Sequence, residues 1–274
     1  MNTWDMIAIG AILLIGVPHG GLDGVVARRI GWPTGLVAWL SFHLAYVAMA
    51  ALVAVLWWLF PLPSLGVFLL ISALHFGASD IADRGADWLP LLAHGGLVCI
   101  AIPNLQPVSV EPIFAVLVGV ENASLLMEGI TILFLPWVLC FVAYFIYAYM
   151  RPQYRQSVVS LLILVGLASI LPPLISFSLY FCFWHSRGHM QRLWCSLEQL
   201  ERKRSLCEAG IYTAMAWITA GIIFYYLQGS TVTSLVQVTF IGLAALTLPH
   251  MLLVDYAGRN MPIGKVINEK QGHD

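Results

Sequence analysis

The chain has 274 residues, of which 60% are hydrophobic and 10% charged, with a formal net charge of −1 and a mean hydropathy of +0.85. A soluble domain carries about 25% charged residues, so this balance excludes an ordinary soluble enzyme, and a net charge near zero gives no reason to expect a nucleic-acid partner. Long apolar runs in place of short alternating segments also exclude an outer-membrane barrel. An all-α, polytopic membrane bundle remains, read as a single domain over 1–274.

A membrane-crossing helix needs roughly 20 apolar residues. In chain order the runs fall at 5–22, 36–60, 65–82, 88–104, 130–150, 157–171, 173–191, 208–227 and 233–255. They predict about nine spans, with eight or seven if a short one is re-entrant. The first run lacks a basic flank and PHGG is no cleavage site, so it is expected to remain as a span. Residues 112–127 could be a lumenal helix or a re-entrant piece. The apolar stretch around Pro172-Pro173 is either one long run or two spans with a break.

Positive charge decides between these options. The 13 Lys and Arg follow alternate spans: Arg28 and Arg29, Arg84, Arg151 and Arg155, then Arg187 to Arg204, then Arg259, Lys265 and Lys270. Nine spans with a break at Pro172-Pro173 put all of them on one side, as the positive-inside rule asks. The N-terminus is then outside and the C-terminus cytoplasmic, in the cell (inner) membrane. The charged stretch from Arg192 to Glu208 reads as a cytoplasmic loop or interfacial helix in contact with lipid head groups.

Seven of the 8 histidines lie inside this apolar chain. Ionisable or metal-binding side chains at membrane depth are costly and point to function. His185 and His189 are spaced i, i+4, which on a helix sets both rings on one face. His19 and His75 come from two other spans and complete a four-imidazole cage. Such a set leaves up to two open positions on an octahedral metal and suits Fe(II). His19, His75 and His250 each precede an arginine by nine residues, about 14 Å of helix, so the three share one layer. His250 follows a proline, as His19 does, and is either a further site histidine or a neighbour supporting one. Asp23, Asp80 and Asp255 trail His19, His75 and His250. Each could accept a ligand's outer N–H or cap a helix end, with Asp23 the leading candidate for the first role. His43 and His94 read as packing residues. Phe42, Tyr46, Phe76, Tyr180, Phe181, Phe183 and Trp184 could line a tunnel for a long, flat, apolar substrate, or belong to a lipid-facing belt. Five cysteines form no CxxC pair and read as packing residues.

The motifs Pro18-His19-Gly20-Gly21-Leu22-Asp23, Leu74-His75-Phe76-Gly77 through Asp80, Phe181-Cys182-Phe183-Trp184-His185-Ser186-Arg187-Gly188-His189 and Leu248-Pro249-His250 together resemble the Brp/Blh family of membrane β-carotene 15,15′-dioxygenases. The ordered set is specific, although any one motif is weak. Gly21 stands where the family often has alanine. The resemblance implies central cleavage of β-carotene by O2 to two all-trans-retinal, and a dependence on Fe(2+). The family's proposed ligands fall here on His19, His75, His185 and His189. It also implies delivery of retinal to a microbial rhodopsin.

Other classes fare less well. A retinal-binding pump needs a membrane lysine, but Lys203, Lys265 and Lys270 all lie in loop or tail. A di-iron desaturase needs about eight histidines in HxxxH and HxxHH boxes, and one HxxxH occurs. A metal transporter would want acidic groups at mid-membrane. A silent retinal- or carotenoid-handling accessory protein stays open.

Overall fold

The computed structural model describes residues 3–33, 35–81 and 87–260, the side chains of 200 and 256–260 apart. Arg84, Lys265 and Lys270, which enter the charge and spacing patterns, and the tail's His273 lie outside the described residues. The described chain is helical. We number the helical runs α1 (Thr3–Arg29), α2 (Leu36–Leu59), α3 (Pro61–Asp80), α4 (Trp88–Leu105), α5 (Pro107–Val118), α6 (Val120–Met150), α7 (Pro152–Ile170), α8 (173–196), α9 (Gln199–Tyr226) and α10 (Thr231–Asn260).

Eight of these are long and apolar enough to cross a membrane: all but α5 and α8. The protein is a polytopic helical membrane bundle. Its outer surface carries bare Trp58, Val37, Ile170 and Tyr225, a coat that water would not tolerate but lipid does. Of the 24 residues of α2 only Trp57 is buried, because this helix lies on the rim with one edge against α10.

Proline and glycine set the breaks. Pro61, Pro107, Pro152 and Pro173 each stand at the first position of a helix, where the missing N–H costs nothing. The expected break at Pro172-Pro173 is present. The end of α7 is tied off there by the Gln106 amide, which donates to the Ala168 carbonyl (2.7 Å) and to that of Leu171. The segment 112–127 is not a single helix. Gly119, at φ +87°, turns the chain sharply, so α5 ends at Val118 and α6 starts ten residues earlier than the hydropathy run suggested. The charged stretch after Arg192 is helical too. α9 opens at Gln199 behind a Glu198–Glu201 capping box, one of the signals that start a helix.

Two glycines allow α3 and α4 to cross closely. A Cβ at Gly77 would fall on the Leu91 carbonyl oxygen, and one at Gly95 on that of Ala73. Small residues at such crossings let backbones touch where no hydrophobic force drives helices together. Just before α4, Asp87 accepts hydrogen bonds from Tyr154 (2.6 Å) and Tyr147 (2.9 Å). These bonds hold its carboxyl below the usual range and tie α4 to α6 and α7.

Candidate functional site

Three irregular helices shape the site. α1 runs as α-helix to Ala11, widens to a π-turn over Ile12–Gly16, tightens to a 3-10 turn over Val17–Leu22 and resumes as α-helix. Pro18 has no N–H to give the preceding turn, and the disturbance presents His19. α8 is α-helical over Pro173–Leu179, a π-turn over Tyr180–Ser186 and α-helical again over Arg187–Ser196. His185 stands one residue before the end of that π-turn. π-Turns of this kind are frequent at functional sites. In α10, Pro249 lies inside the helix directly before His250, as Pro18 does before His19.

Five histidines from four helices meet here, all buried: His19, His75, His185, His189 and His250. Ring centroids lie 5.7 Å apart for His19–His185, 5.1 Å for His185–His75, 5.3 Å for His75–His250, 5.3 Å for His250–His189 and 5.9 Å for His189–His19. His19 and His250 approach to 5.0 Å across this circuit. His185 and His189 both face His19, so the spacing i, i+4 does place them on a common side.

The outer nitrogens of His19, His250 and His75 are hydrogen-bonded, and that of His185 faces a carboxylate. Nδ1 of His19 donates to the Gly16 carbonyl (2.5 Å), with Ser186 Oγ at 3.2 Å. Nδ1 of His250 donates to Asp23 Oδ1 (2.6 Å), and Nδ1 of His75 to Asp255 Oδ1 (3.4 Å). Nδ1 of His185 stands 3.6 Å from Asp80 Oδ1. Carbonyl and carboxylate oxygens only accept, so in His19, His250 and His75 they fix the proton on Nδ1 and leave the Nε2 lone pair free. The Nε2 atoms of His75, His189 and His250 are buried and have no hydrogen-bond partner. An unpaired buried polar atom costs about 1–3 kcal/mol, so three in one cluster ask for a common partner.

A transition-metal ion fits that demand. With a metal–nitrogen bond of about 2.1 Å, two imidazole centroids on one ion lie roughly 4.6 Å apart at a right angle and roughly 6.5 Å apart across it. The observed 5.0–5.9 Å falls between. The rings are gathered but not focused: among the described residues no three donors already stand as a closed ligand set.

Behind the rings, tyrosines hold the carboxylates. Tyr46 donates to Asp23 Oδ2 (2.8 Å) and Tyr180 to Asp80 Oδ2 (2.8 Å). Asp80 also faces Nδ1 of His94 at 3.7 Å, and His94 Nε2 pairs with Ser157 Oγ at 2.8 Å. The carboxylates do not serve the histidines they follow in sequence. Asp23 serves His250, Asp255 serves His75, and Asp80 serves His185 and His94. Five residues along an α-helix, or four along a 3-10 turn, rotate the chain roughly 120–140° from the starting face, which sends each carboxylate to a neighbouring helix.

A cavity of about 100 Å³ adjoins the cluster. His19, His75, His185 and His250 form its polar wall. Phe68, Phe76, Phe114, Phe177, Phe181 and Phe240 line the rest together with aliphatic side chains, Ser72 and Thr247. Of the expected tunnel residues, Phe76 and Phe181 line this cavity. Tyr46 and Tyr180 instead hold carboxylates. Phe42 packs on Trp32, His43 and Tyr46 away from it, and Phe183 and Trp184 are exposed on the outer surface. Phe68, Phe114, Phe177 and Phe240 went unnoticed in the sequence, since no motif surrounds them. Phe181 stacks on His185 and meets His19 edge-on. Gly16 makes room for it: a Cβ there would strike the Phe181 ring.

These features define a class: a polytopic helical membrane protein with a buried imidazole cluster beside an apolar, aromatic cavity. Within that class the chain belongs to the β-carotene 15,15′-dioxygenase family, whose pattern it matches over residues 10–257, a stretch containing all five histidines. It is 33% identical over 267 residues, 93% of this chain and 94% of the relative, to a protein of uncultured marine bacterium 66A03 named beta-carotene 15,15′-dioxygenase. It is 24% identical over 287 residues, covering 92% and 83%, to a protein of Halobacterium salinarum named probable beta-carotene 15,15′-dioxygenase Blh. No solved structure matches the chain.

Proposed function

We propose that this protein cleaves β-carotene at its central 15,15′ double bond with O2, giving two molecules of all-trans-retinal, at an iron site held by His19, His75, His185 and His189. The observation that carries the reading is the circuit of buried imidazoles, with unpaired Nε2 atoms, in the wall of an aromatic cavity. Both relatives bear the name of this activity.

The reaction balances without a further reductant. The central C=C bond breaks and each of its carbons takes one oxygen atom of O2. Bound Fe(2+) supplies the binding and activation of dioxygen. The chain's own residues do the rest. Gly16 and Asp255 orient His19 and His75 through their outer nitrogens, and Asp80 faces that of His185. Phe76, Phe177 and Phe181 hold a flat polyene beside the histidines and fix which double bond is presented. The apolar walls keep water from the reacting centre. Substrate enters and products leave through lipid, so no very apolar molecule has to cross water. The protein sits in the cytoplasmic membrane, and a microbial rhodopsin is the consumer we assign to retinal.

Expression in β-carotene-accumulating cells tests the reading. The parent should bleach them and yield retinal, while His185→Ala should lower retinal by about a hundredfold or more with the protein still present. Well-expressed parent that leaves the colour unchanged and yields no apocarotenal would sink it, and metal transport or carotenoid handling would take its place.

A further inference from the structure

The four histidines assigned above do not close on themselves. Their ring contacts run His75–His185–His19–His189 and stop. The gap between the two ends is filled by His250, whose centroid lies 5.3 Å from His75, 5.3 Å from His189 and 5.0 Å from His19. Among the described residues no other ring outside the four touches three of them.

Its two nitrogens differ in kind. Nδ1 donates to Asp23 Oδ1 at 2.6 Å, the shortest of the histidine–carboxylate contacts here. Asp23 is held in turn by the Tyr46 hydroxyl, which also reaches the Leu246 carbonyl (3.4 Å) one turn before His250. Nε2 is buried without a partner. His43, away from the cluster, uses both nitrogens, with the Trp39 carbonyl and the Tyr212 hydroxyl, each at 2.7 Å. His250 uses one, and the other is left buried and unpaired in a ring that touches three of the cluster histidines. The pattern is the one expected of a metal-binding imidazole: outer N–H on a carboxylate, inner lone pair on the ion.

We infer that His250 is a fifth imidazole ligand of the iron, positioned by Asp23 and Tyr46. This rests on the iron-site reading above. Five imidazoles would leave one of six positions for dioxygen, where four leave two. Asp23 and Tyr46 are positioning residues, since neither faces the cluster.

The test uses the whole protein in detergent, loaded anaerobically with Fe(II) or Co(II) and freed of excess metal. His250→Gln keeps a polar side chain of similar reach. It should release iron to a ferrous chelator about tenfold more readily than the parent, and its Co(II) visible spectrum should change in position and intensity. Tyr46→Phe should leave the Co(II) spectrum in place. If His250→Gln holds iron as tightly as the parent with an unaltered Co(II) spectrum, His250 is no ligand. If that variant does not elute as a folded protein, X-ray absorption of the iron-loaded parent decides, with imidazole scattering fitted by five rings for the inference and by four or fewer against it. Parent that makes retinal while His250→Gln keeps its metal overturns the fifth ligand alone. Parent that neither holds iron nor makes retinal overturns the function with it.

Discussion

A neutral imidazole carries one N–H and one lone pair, so what its outer nitrogen meets decides what its inner nitrogen can do. Asp80 shows how much one acceptor can organise. It takes the Tyr180 hydroxyl at 2.8 Å while facing His185 at 3.6 Å and His94 at 3.7 Å. Removing its charge with Asp80→Asn should lower both iron retention and retinal formation by about ten- to a hundredfold, the range typical for groups that orient a ligand. Tyr180→Phe removes a single hydrogen bond, worth about 1 kcal/mol or roughly fivefold. Iron per chain and retinal formed per unit time, measured on the same preparations, check both. Equal activity of Asp80→Asn and parent would mean that His185 is oriented by packing on Phe181 and Phe76 alone. The histidines themselves were legible in the sequence, because an imidazole in an apolar run has few ordinary reasons to be there. Their partners were not. Chain order suggests Asp23 for His19 and Asp255 for His250, whereas the fold exchanges them between helices. Tyr46 and Tyr180 looked like tunnel walls because an aromatic ring in a sequence does not disclose whether its hydroxyl or its face is used.

At the scale of the element, hydropathy located the helices and left their interiors unread. Apolar runs of about 20 residues mark spans, and the proline-marked starts of α3, α5, α7 and α8 follow local rules. The π-turns at Ile12–Gly16 and Tyr180–Ser186 leave no such trace, since they arise from tertiary contacts that repay a poorer hydrogen-bond ladder. The α3–α4 crossing is a sharper case. Gly66 and Gly95 look alike in sequence. A Cβ at Gly66 meets open space, while one at Gly95 lands on the Ala73 carbonyl oxygen. That crossing carries His75 and, through α4, His94. Gly95→Leu should destabilise the detergent-solubilised protein by about 1–3 kcal/mol, the usual cost of overpacking, and reduce retinal formation by shifting His75. Gly66→Ala should be neutral or stabilising by up to about 1 kcal/mol, since alanine is the better helix former. Thermal unfolding followed by loss of monodisperse protein separates the two, and similar melting of both would show that the crossing tolerates displacement.

On the scale of the whole molecule, the histidine layer and the basic residues occupy related positions. Arg28 and Arg29 end α1 just beyond His19, and Arg187 and Arg192 flank His189. Around them the described residues form a polar seam. Arg28 pairs with Glu208 (2.6 Å), Arg204 with the same Glu208 (2.8 Å), Arg29 with Glu201 (3.7 Å), and Arg192 donates to Ser79 Oγ (3.0 Å). The positive-inside rule assigns such a seam to the cytoplasm, which would put the imidazole circuit in the inner half of the bilayer and the N-terminus outside. The chain contains its own probes for this. Cys195 and Cys207 are exposed at the basic end, whereas Cys99 and Cys182 are buried and Cys140 is partly so within α6. A membrane-impermeant maleimide should therefore leave the protein unlabelled in intact cells and label it in inverted membrane vesicles. Cys195→Ala combined with Cys207→Ala should abolish that labelling. Labelling of intact cells would reverse the orientation and move the histidine layer to the outer leaflet. The apolar route between cavity and lipid would stand, but retinal would then be released on the opposite side of the membrane.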